Sequence, residues 1–263
     1  MARPTDARTR ATRTAVRRRG SYGLDAPTLL PIFALLVVAD LTDGIFSRSM
    51  GPLVAAAIIL SCGALGLYAS RRGKFVIWAR LLDELGLKGG ERVLDIGCGR
   101  GAVLLMAAEH LTTGHAVGID LWKKGDQSGN AAIATRHNAA AEGVYDRVLL
   151  ATGDMTTLPF TRGCFDVVLS SLAIHNVGRG ARNRAVEEAF RVLAPGGRLL
   201  IADLWATGQY QRKLAALGAT QVTRQQLGWR MWWSGPWLAT YLVNASKPQA
   251  YGRGRIVADM SGK

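Results

Sequence analysis

Cysteine is scarce in this sequence. Cys62, Cys98 and Cys164 are the three in 263 residues, an odd number with no CxxC pair. That spacing argues against a disulfide framework, gives no metal site, and fits a reducing compartment. Acids are also few: 19 Asp and Glu stand against 33 Lys and Arg, a net charge of +14. Seven arginines and one aspartate in residues 1–20 carry +6 of this, which leaves +8 for the rest. A basic excess admits two partners, nucleic acid and the anionic face of a bilayer, and does not choose between them. No internal repeat is visible, and no cleavage-like end follows the N-terminal apolar block, which argues against a signal peptide. A content of 49% hydrophobic and 20% charged residues excludes a chain disordered throughout. The length suits one α/β domain with a short appendage.

What is present is strongly ordered along the chain. Residues 1–23 are Arg, Thr, Ala and Gly with little to bury, and read as a disordered basic arm. Residues 51–70 then run for 20 positions without a charge, about 30 Å as a helix, the thickness of a hydrocarbon core. The stretch 27–39 is also apolar but stops at Asp40, with Asp43 and Gly44 following. Two buried helices of a soluble cap are one reading. Charge placement favours another, a transmembrane hairpin over 24–72: an arginine cluster precedes it, Arg71, Arg72 and Lys74 follow it, and Arg48 stands in the turn. Both ends are then cytoplasmic, so the expected location is the cell membrane with the catalytic domain facing the cytoplasm. Asp40 and Asp43 belong at the far interface or, at greater cost, inside the membrane.

From residue 73 to 244 the pattern alternates. A helix over 74–87 presents Phe75, Trp78, Leu81, Leu82 and Leu85 on one face. Apolar strand runs then alternate with helices at 101–112, near 127–142, 181–193 and 208–217, and two further runs near 219–227 and 236–244 follow. Such alternation specifies a parallel, doubly covered sheet with ligand loops at the carboxyl edge of its strands. Residues 245–263 read as a polar tail.

Acids mark that edge. The first strand ends in Asp95-Ile96-Gly97-Cys98-Gly99-Arg100-Gly101. Its glycines allow a sharp turn and close approach to a ligand, and the next helix offers its N-terminal amides. A bare GxGxG is weak, because nicotinamide enzymes use similar turns. Asp95 is the discriminating residue, hostile to a pyrophosphate and suited to a cationic amino-acid group. The second strand ends at Asp120, where a carboxylate accepts from ribose hydroxyls. The third leads into Gly153-Asp154-Met155, with an acid for an adenine amino group and a thioether for its ring. Any one of these acids reads equally as a loop acid or helix cap; three beside a glycine turn do not.

These segments resemble the class I S-adenosylmethionine-dependent methyltransferases of the type 11 kind. The resemblance covers roughly residues 75–244 and rests on VLDIGCGRG (93–101), VGID (117–120), GDMTTLPF (153–160), FDVVLSSLAIHNV (165–177) and FRVLAPGGRLLIADL (190–204). It implies a Rossmann-like, seven-stranded, mostly parallel sheet with an antiparallel last strand and helices on both faces. It implies S-adenosyl-L-methionine as cofactor, with Asp95, Gly97, Gly99 and Gly101 on the methionine portion, Asp120 on the ribose, Asp154 and Met155 on the adenine, and Cys98, Leu121 and Ser170 as further cofactor-binding residues. The run 120–130 is similar to a bacterial subgroup acting on small molecules.

Methyl transfer is an in-line displacement, so a protein mainly aligns the reactants and excludes water. A base is needed only where the acceptor loses a proton. His175, just past the fourth strand, is the candidate for that role or for positioning the acceptor; a structural hydrogen-bonding role is the alternative. Asn176, Trp122 and Gln127 are further acceptor-site candidates. The Asn/Asp-Pro-Pro-Tyr/Phe motif of amine methylation is absent, since strand four reads SSLA. The tryptophan-rich stretch 229–237 reads as sheet-edge packing or as an aromatic patch on lipid headgroups near Arg71 and Arg72. The expectation is a membrane-anchored methyltransferase acting on a hydrophobic small-molecule or lipid-like acceptor. RNA methylation and a non-catalytic, S-adenosylmethionine-binding membrane sensor are the alternatives.

Overall fold

The structure is a computed structural model and describes residues 18–123 and 125–249. Two apolar helices come first, α1 (Leu29–Ser47) and α2 (Met50–Tyr68). Each carries its proline, Pro31 or Pro52, in the first turn, where a missing N–H interrupts no helical bond. Arg48 ends α1 in the left-handed region at φ 49° and Ser49 caps α2, so the two turn back on each other through a two-residue link. Gly44 brings them close: a Cβ there would lie 2.6 Å from Leu53 Cδ2. The first apolar element therefore passes through Asp40 and Asp43, beyond the expected stop at residue 39. Neither acid breaks the helix: Asp43 is exposed and Asp40 partly so. Only 6% of each apolar window is buried, and Leu35, Phe46 and Ile58 lie open. Among the described residues both helices are therefore exposed rather than buried.

The helix does not stop at Tyr68. One π-type turn, Ala69–Gly73, joins α2 to α3 (Lys74–Leu85) in a continuous rod. The buried face of α3, Phe75, Ile77, Trp78, Leu81, Leu82 and Leu85, has helical spacing. Gly86 ends it in the left-handed conformation at φ 60°.

The remaining elements alternate: β1 (Arg92–Ile96), α4 (Ala102–Glu109), β2 (His115–Asp120), α5 (Ala132–Glu142), β3 (Val148–Thr152), β4 (Phe165–Ser171), α6 (Arg179–Val192), β5 (Leu193–Asp203), α7 (Thr207–Ala216), β6 (Thr220–Gln226) and β7 (Tyr241–Ser246). The sheet runs β3-β2-β1-β4-β5-β7-β6, with β7 antiparallel to both neighbours and β1 to β5 parallel. This is the Rossmann-like, seven-stranded arrangement with one reversed strand. Chain order reverses between β1 and β4, and the crevice at that switch point lies between their carboxyl ends. One core packs α3 and α4 on the sheet; a second packs α6 and α7 on its other face.

Several boundaries differ from expectation: α4 ends at Glu109, α5 starts at Ala132, and β7 runs to Ser246, into the expected tail. The last strand begins at Tyr241, because Gly235 (φ 140°) and Pro236 break the backbone into a 3₁₀ turn first. Residues 18–23, expected within a disordered arm, lie docked on the C-terminal ends of α4 and α5: Arg18 pairs with Glu109 (2.8 Å) and Glu142 (3.3 Å), and the amides of Arg19 and Gly20 donate to Glu142. Tyr22 is the apolar anchor that composition concealed, edge-on to Phe75 with centroids 5.1 Å apart. The rest of that arm, 1–17, and the tail 250–263 lie outside the described residues.

Candidate active site

A cavity of about 260 Å³ opens at the switch point, walled by the carboxyl ends of β1, β2 and β4, by residues 25–28, and by Lys74 and Trp233. Its floor is the turn after β1. Gly97 (φ 72°) can only be glycine, since a Cβ would lie 2.2 Å from the Cβ of Ala173. The Gly97 amide donates to Ile119 O at 2.8 Å, tying the turn to β2. Gly99 donates to Asp120 Oδ2 at 2.8 Å, and its carbonyl accepts from Thr135 Oγ1 at 2.8 Å. Gly101 (φ 83°) starts α4 without lining the cavity, its own Cβ position filled by Thr135 and Leu105. Cys98 is buried under the turn, and burial pushes its thiol up, so it packs as an apolar side chain.

Two observations test whether this cavity suits S-adenosylmethionine. Asp95 is 1% exposed, lines the cavity, and its Oδ1 has no hydrogen-bond partner. Burial, with the Asp120 carboxylate adding to it, pushes the Asp95 carboxyl up to about 7. A buried acid with an open acceptor is incomplete without a cationic donor, which the amino group of a methionine portion supplies. The second is at β2. Asp120 already accepts from Gly99 N, Trp122 N (2.6 Å) and Asn130 Nδ2 (3.3 Å), which leaves room for one more donor on Oδ2. Beside it Asn130 Oδ1 is buried and without a partner, in the same cavity wall. A ribose diol thus finds two acceptors, of which sequence reading found one. The residues fit the group.

The other candidates divide. Leu121, Met155, Gln127, His175 and Asn176 line the cavity. Asp154 does not: its Oδ1 accepts from Thr156 N at 2.8 Å, which holds the carboxyl below the usual range, and Gly153 and Met155 form the wall instead. Ser170 is directed into the sheet, donating to Ile96 O at 3.0 Å; strand alternation gives the cavity to Ser171, which accepts from Trp78 Nε1 at 2.9 Å. Trp122, in the left-handed region at φ 58°, turns away and donates to Thr152 Oγ1 at 2.8 Å. Gln127 is a clamp. Its Oε1 accepts from Arg100 N at 2.8 Å while its Nε2 donates to Asp25 Oδ1 at 2.9 Å.

Asp203 at the end of β5 is the residue that sequence reading passed over. It is fully buried and accepts from the His175 amide (3.0 Å), from His175 Nδ1, and from Tyr210 Oη (3.1 Å). A carboxylate only accepts, so Nδ1 carries a proton and Nε2 is left as the free ring nitrogen. Arg182 holds the loop by donating to the His175 carbonyl at 2.8 Å, and Trp205 packs edge-on to the imidazole at 5.5 Å. The signal was available: Asp203 is a fourth acid at the carboxyl end of a parallel strand.

Asp25 is the other. Its Oδ2 accepts from Lys74 Nζ (2.7 Å) and Ser70 Oγ (2.9 Å), so one carboxylate ties the N-terminal strap to the helical rod and, through Gln127, to the loop after β2. The strap runs alongside 126–128, with Ser128 N donating to Leu24 O at 3.0 Å and Leu24 N to Ser128 Oγ at 2.8 Å.

Strand order, glycine turn and acid placement are similar to those of class I S-adenosylmethionine-dependent methyltransferase domains. Residues 94–201 match the family model described as a methyltransferase domain. The chain is 34% identical over 123 residues to a ubiquinone/menaquinone biosynthesis C-methyltransferase of Roseobacter denitrificans, covering 47% of this chain and 46% of that protein. It is 33% identical over 139 residues to the chloroplastic 2-phytyl-1,4-beta-naphthoquinone methyltransferase of Arabidopsis thaliana, covering 52% and 51%. The chain thus spans about half the length of the curated relatives it matches. Among solved structures, geranyl diphosphate methyltransferase in complex with S-adenosylmethionine superposes with a TM-score of 0.54 at 18% identity, over 70% of this chain and 90% of that one. The [4+2]-cyclase SpnF gives 0.52 at 22%, over 65% and 82%. These two proteins are named for different reactions, so this likeness speaks for the fold alone.

Proposed function

We propose that the protein is a membrane-anchored, S-adenosylmethionine-dependent methyltransferase that methylates a hydrophobic, quinone-type or lipid-like acceptor carrying an ionisable hydroxyl. One observation carries this reading. The wall that holds the unpartnered Asp95 also holds His175 with its Asp203 partner, and the same cavity reaches Thr28 and Lys74 at the foot of the apolar hairpin. The bound cofactor supplies an electrophilic methyl carbon on a sulfonium. The chain's part is to hold the cation at Asp95, exclude water beneath the strap, and take a proton at His175 Nε2. Loss of that proton makes a phenolic hydroxyl or its ring carbon a stronger nucleophile, and Asp203 stabilises the imidazolium that forms. The quinone-related names of two relatives support the acceptor class.

Two apolar helices of 19 residues each, about 28 Å long, with Arg71, Arg72 and Lys74 at their foot, support insertion with the domain on the cytoplasmic side. Truncation of residues 1–72 would also remove Tyr22, Asp25 and Ser70, so it would unfold the site as well as the anchor. The informative variant excises 30–66 and joins the ends, which the Asp25–Ser70 hydrogen bond shows to be adjacent, through a short glycine linker.

The test incubates full-length protein with methyl-labelled S-adenosylmethionine and a total membrane lipid extract, and identifies the product by mass spectrometry. Label in an apolar, hydroxyl-bearing lipid, lost on excision of 30–66 and on His175→Ala, is the expected result. Label confined to RNA, to protein or to water-soluble molecules overturns the acceptor class, and absence of S-adenosylhomocysteine overturns the activity.

A further inference from the structure

The loop between β6 and β7 is not explained by the cavity it touches. It holds four of the seven tryptophans, Trp229, Trp232, Trp233 and Trp237, and two of them are open, Trp229 at 47% and Trp237 at 72%. Large aromatic side chains are seldom left in water without a function.

Its height on the helical rod is fixed by contact. A Cβ on Gly66 would lie 2.6 Å from Trp233 O, and one on Gly73 would lie 1.8 Å from Arg230 O. Backbone therefore packs on backbone at two points about two turns apart, spanning the end of α2. Between them Tyr68 stacks on Trp229 with centroids 5.2 Å apart at 19°, and Arg230 lies over the other partner of that stack, 4.7 Å from the Trp229 ring. Arg71 and Arg72 are exposed one turn further along the rod. The apolar surface of α2 thus ends at a ring of exposed tryptophan and arginine. Tryptophan partitions to the headgroup layer of a bilayer, and arginine there meets lipid phosphates.

We propose that residues 229–237, with Arg71 and Arg72, form an interfacial platform seated on anionic phospholipid headgroups, Trp229 and Trp237 lying in the headgroup layer and Arg71, Arg72 and Arg230 on the phosphates. This rests on the membrane reading of the hairpin and deepens it. Trp233, in this loop, and Thr28, at the N-terminus of α1, both line the cavity, so the platform would hold the cavity beside the bilayer surface, where an apolar acceptor arrives without crossing water. The occupant is a bilayer by continuity with the two apolar helices and by charge.

The test uses full-length protein reconstituted into phosphatidylcholine vesicles, with or without a minority of phosphatidylglycerol. Resistance to alkaline carbonate extraction reports insertion of the hairpin. Quenching of tryptophan emission by lipids brominated near the headgroup reports the platform. Inserted protein is expected to be quenched, Trp229→Phe with Trp237→Phe to lose most of that quenching, and brominated phosphatidylglycerol to quench better than brominated phosphatidylcholine. Each of Arg71→Gln, Arg72→Gln and Arg230→Gln is expected to lower the anionic-lipid preference about fivefold at low salt. Inserted protein whose tryptophans escape quenching, or which quenches equally with both lipids, overturns the platform and leaves the membrane reading standing. Protein released by carbonate overturns both.

Discussion

Asp203 accepts hydrogen bonds from both the backbone amide and the ring Nδ1 of His175, so one buried carboxylate fixes the position and the tautomer of one imidazole. A lone histidine past a strand is compatible with a structural role. A histidine whose Nδ1 is held by a buried acid while the residue lines the cavity fits the proton-transfer role proposed for it.

Asp203→Asn presents an amide in place of an acceptor-only group and loses the preference for the Nδ1–H tautomer. It is expected to lower kcat about a hundredfold or more, with S-adenosylmethionine affinity unchanged by calorimetry. Because Asp203 acts through His175, the kcat–pH profile should change in Asp203→Asn, whereas a merely structural role would lower the amount of folded enzyme and leave the profile's shape intact.

Asp95 makes stability pH-dependent. Its folded pKa, about 7, lies above the unfolded value of about 3.9. Between those values the native state holds a proton that the unfolded state has lost, so apo-protein stability falls as pH rises through this window. The slope approaches about 1.4 kcal/mol per pH unit. Urea midpoints measured from pH 4.5 to 8 should show this decline in the wild type and a flatter course in Asp95→Asn. The variant should be at least as stable as wild type at pH 8 and should lose cofactor binding.

The Asp25–Lys74 pair is nearly dry, with side-chain exposures of 20% and 5%. Asp25→Ala leaves the Lys74 ammonium buried without its carboxylate, at an expected cost of about 3 kcal/mol. Asp25→Ala with Lys74→Met removes both charges and should recover much of that loss in urea unfolding. Equal destabilisation of the single and double variants would show that strap docking, not the charge pair, dominates.

Gly73→Ala sets a methyl against Arg230 O, where backbone must move. A cost of about 2 kcal/mol is expected, with faster proteolysis in 229–237. Gly180→Ala in α6 meets nothing within 4 Å and should stabilise by about 0.5 kcal/mol. The pair separates steric from propensity effects in the same thermal-melt experiment.

The sequence by itself determined the class of fold and named about half of the residues of the candidate site. Strand runs of fixed polarity, helices of helical period and glycines at 97, 99 and 101 are local features, and local features survive in a one-dimensional reading. Asp95 and Asp120 were legible because each ends its own strand, and topology alone brings such ends together. Tertiary structure decided the rest. Asp203 and His175 lie 28 positions apart in the chain and Asp25 and Lys74 lie 49 apart, and no periodicity links such pairs. Alternation gives the faces of a strand but not which face the cavity takes, so only the fold shows that Ser171 and not Ser170 lines it. Residues 18–23 read as unstructured from composition, yet Glu142 and Asn138 on a distant helix supply the acceptors that order them. Pairing energies of this kind depend on which surfaces meet, and that is settled only when the sheet, its helices and the rod are assembled.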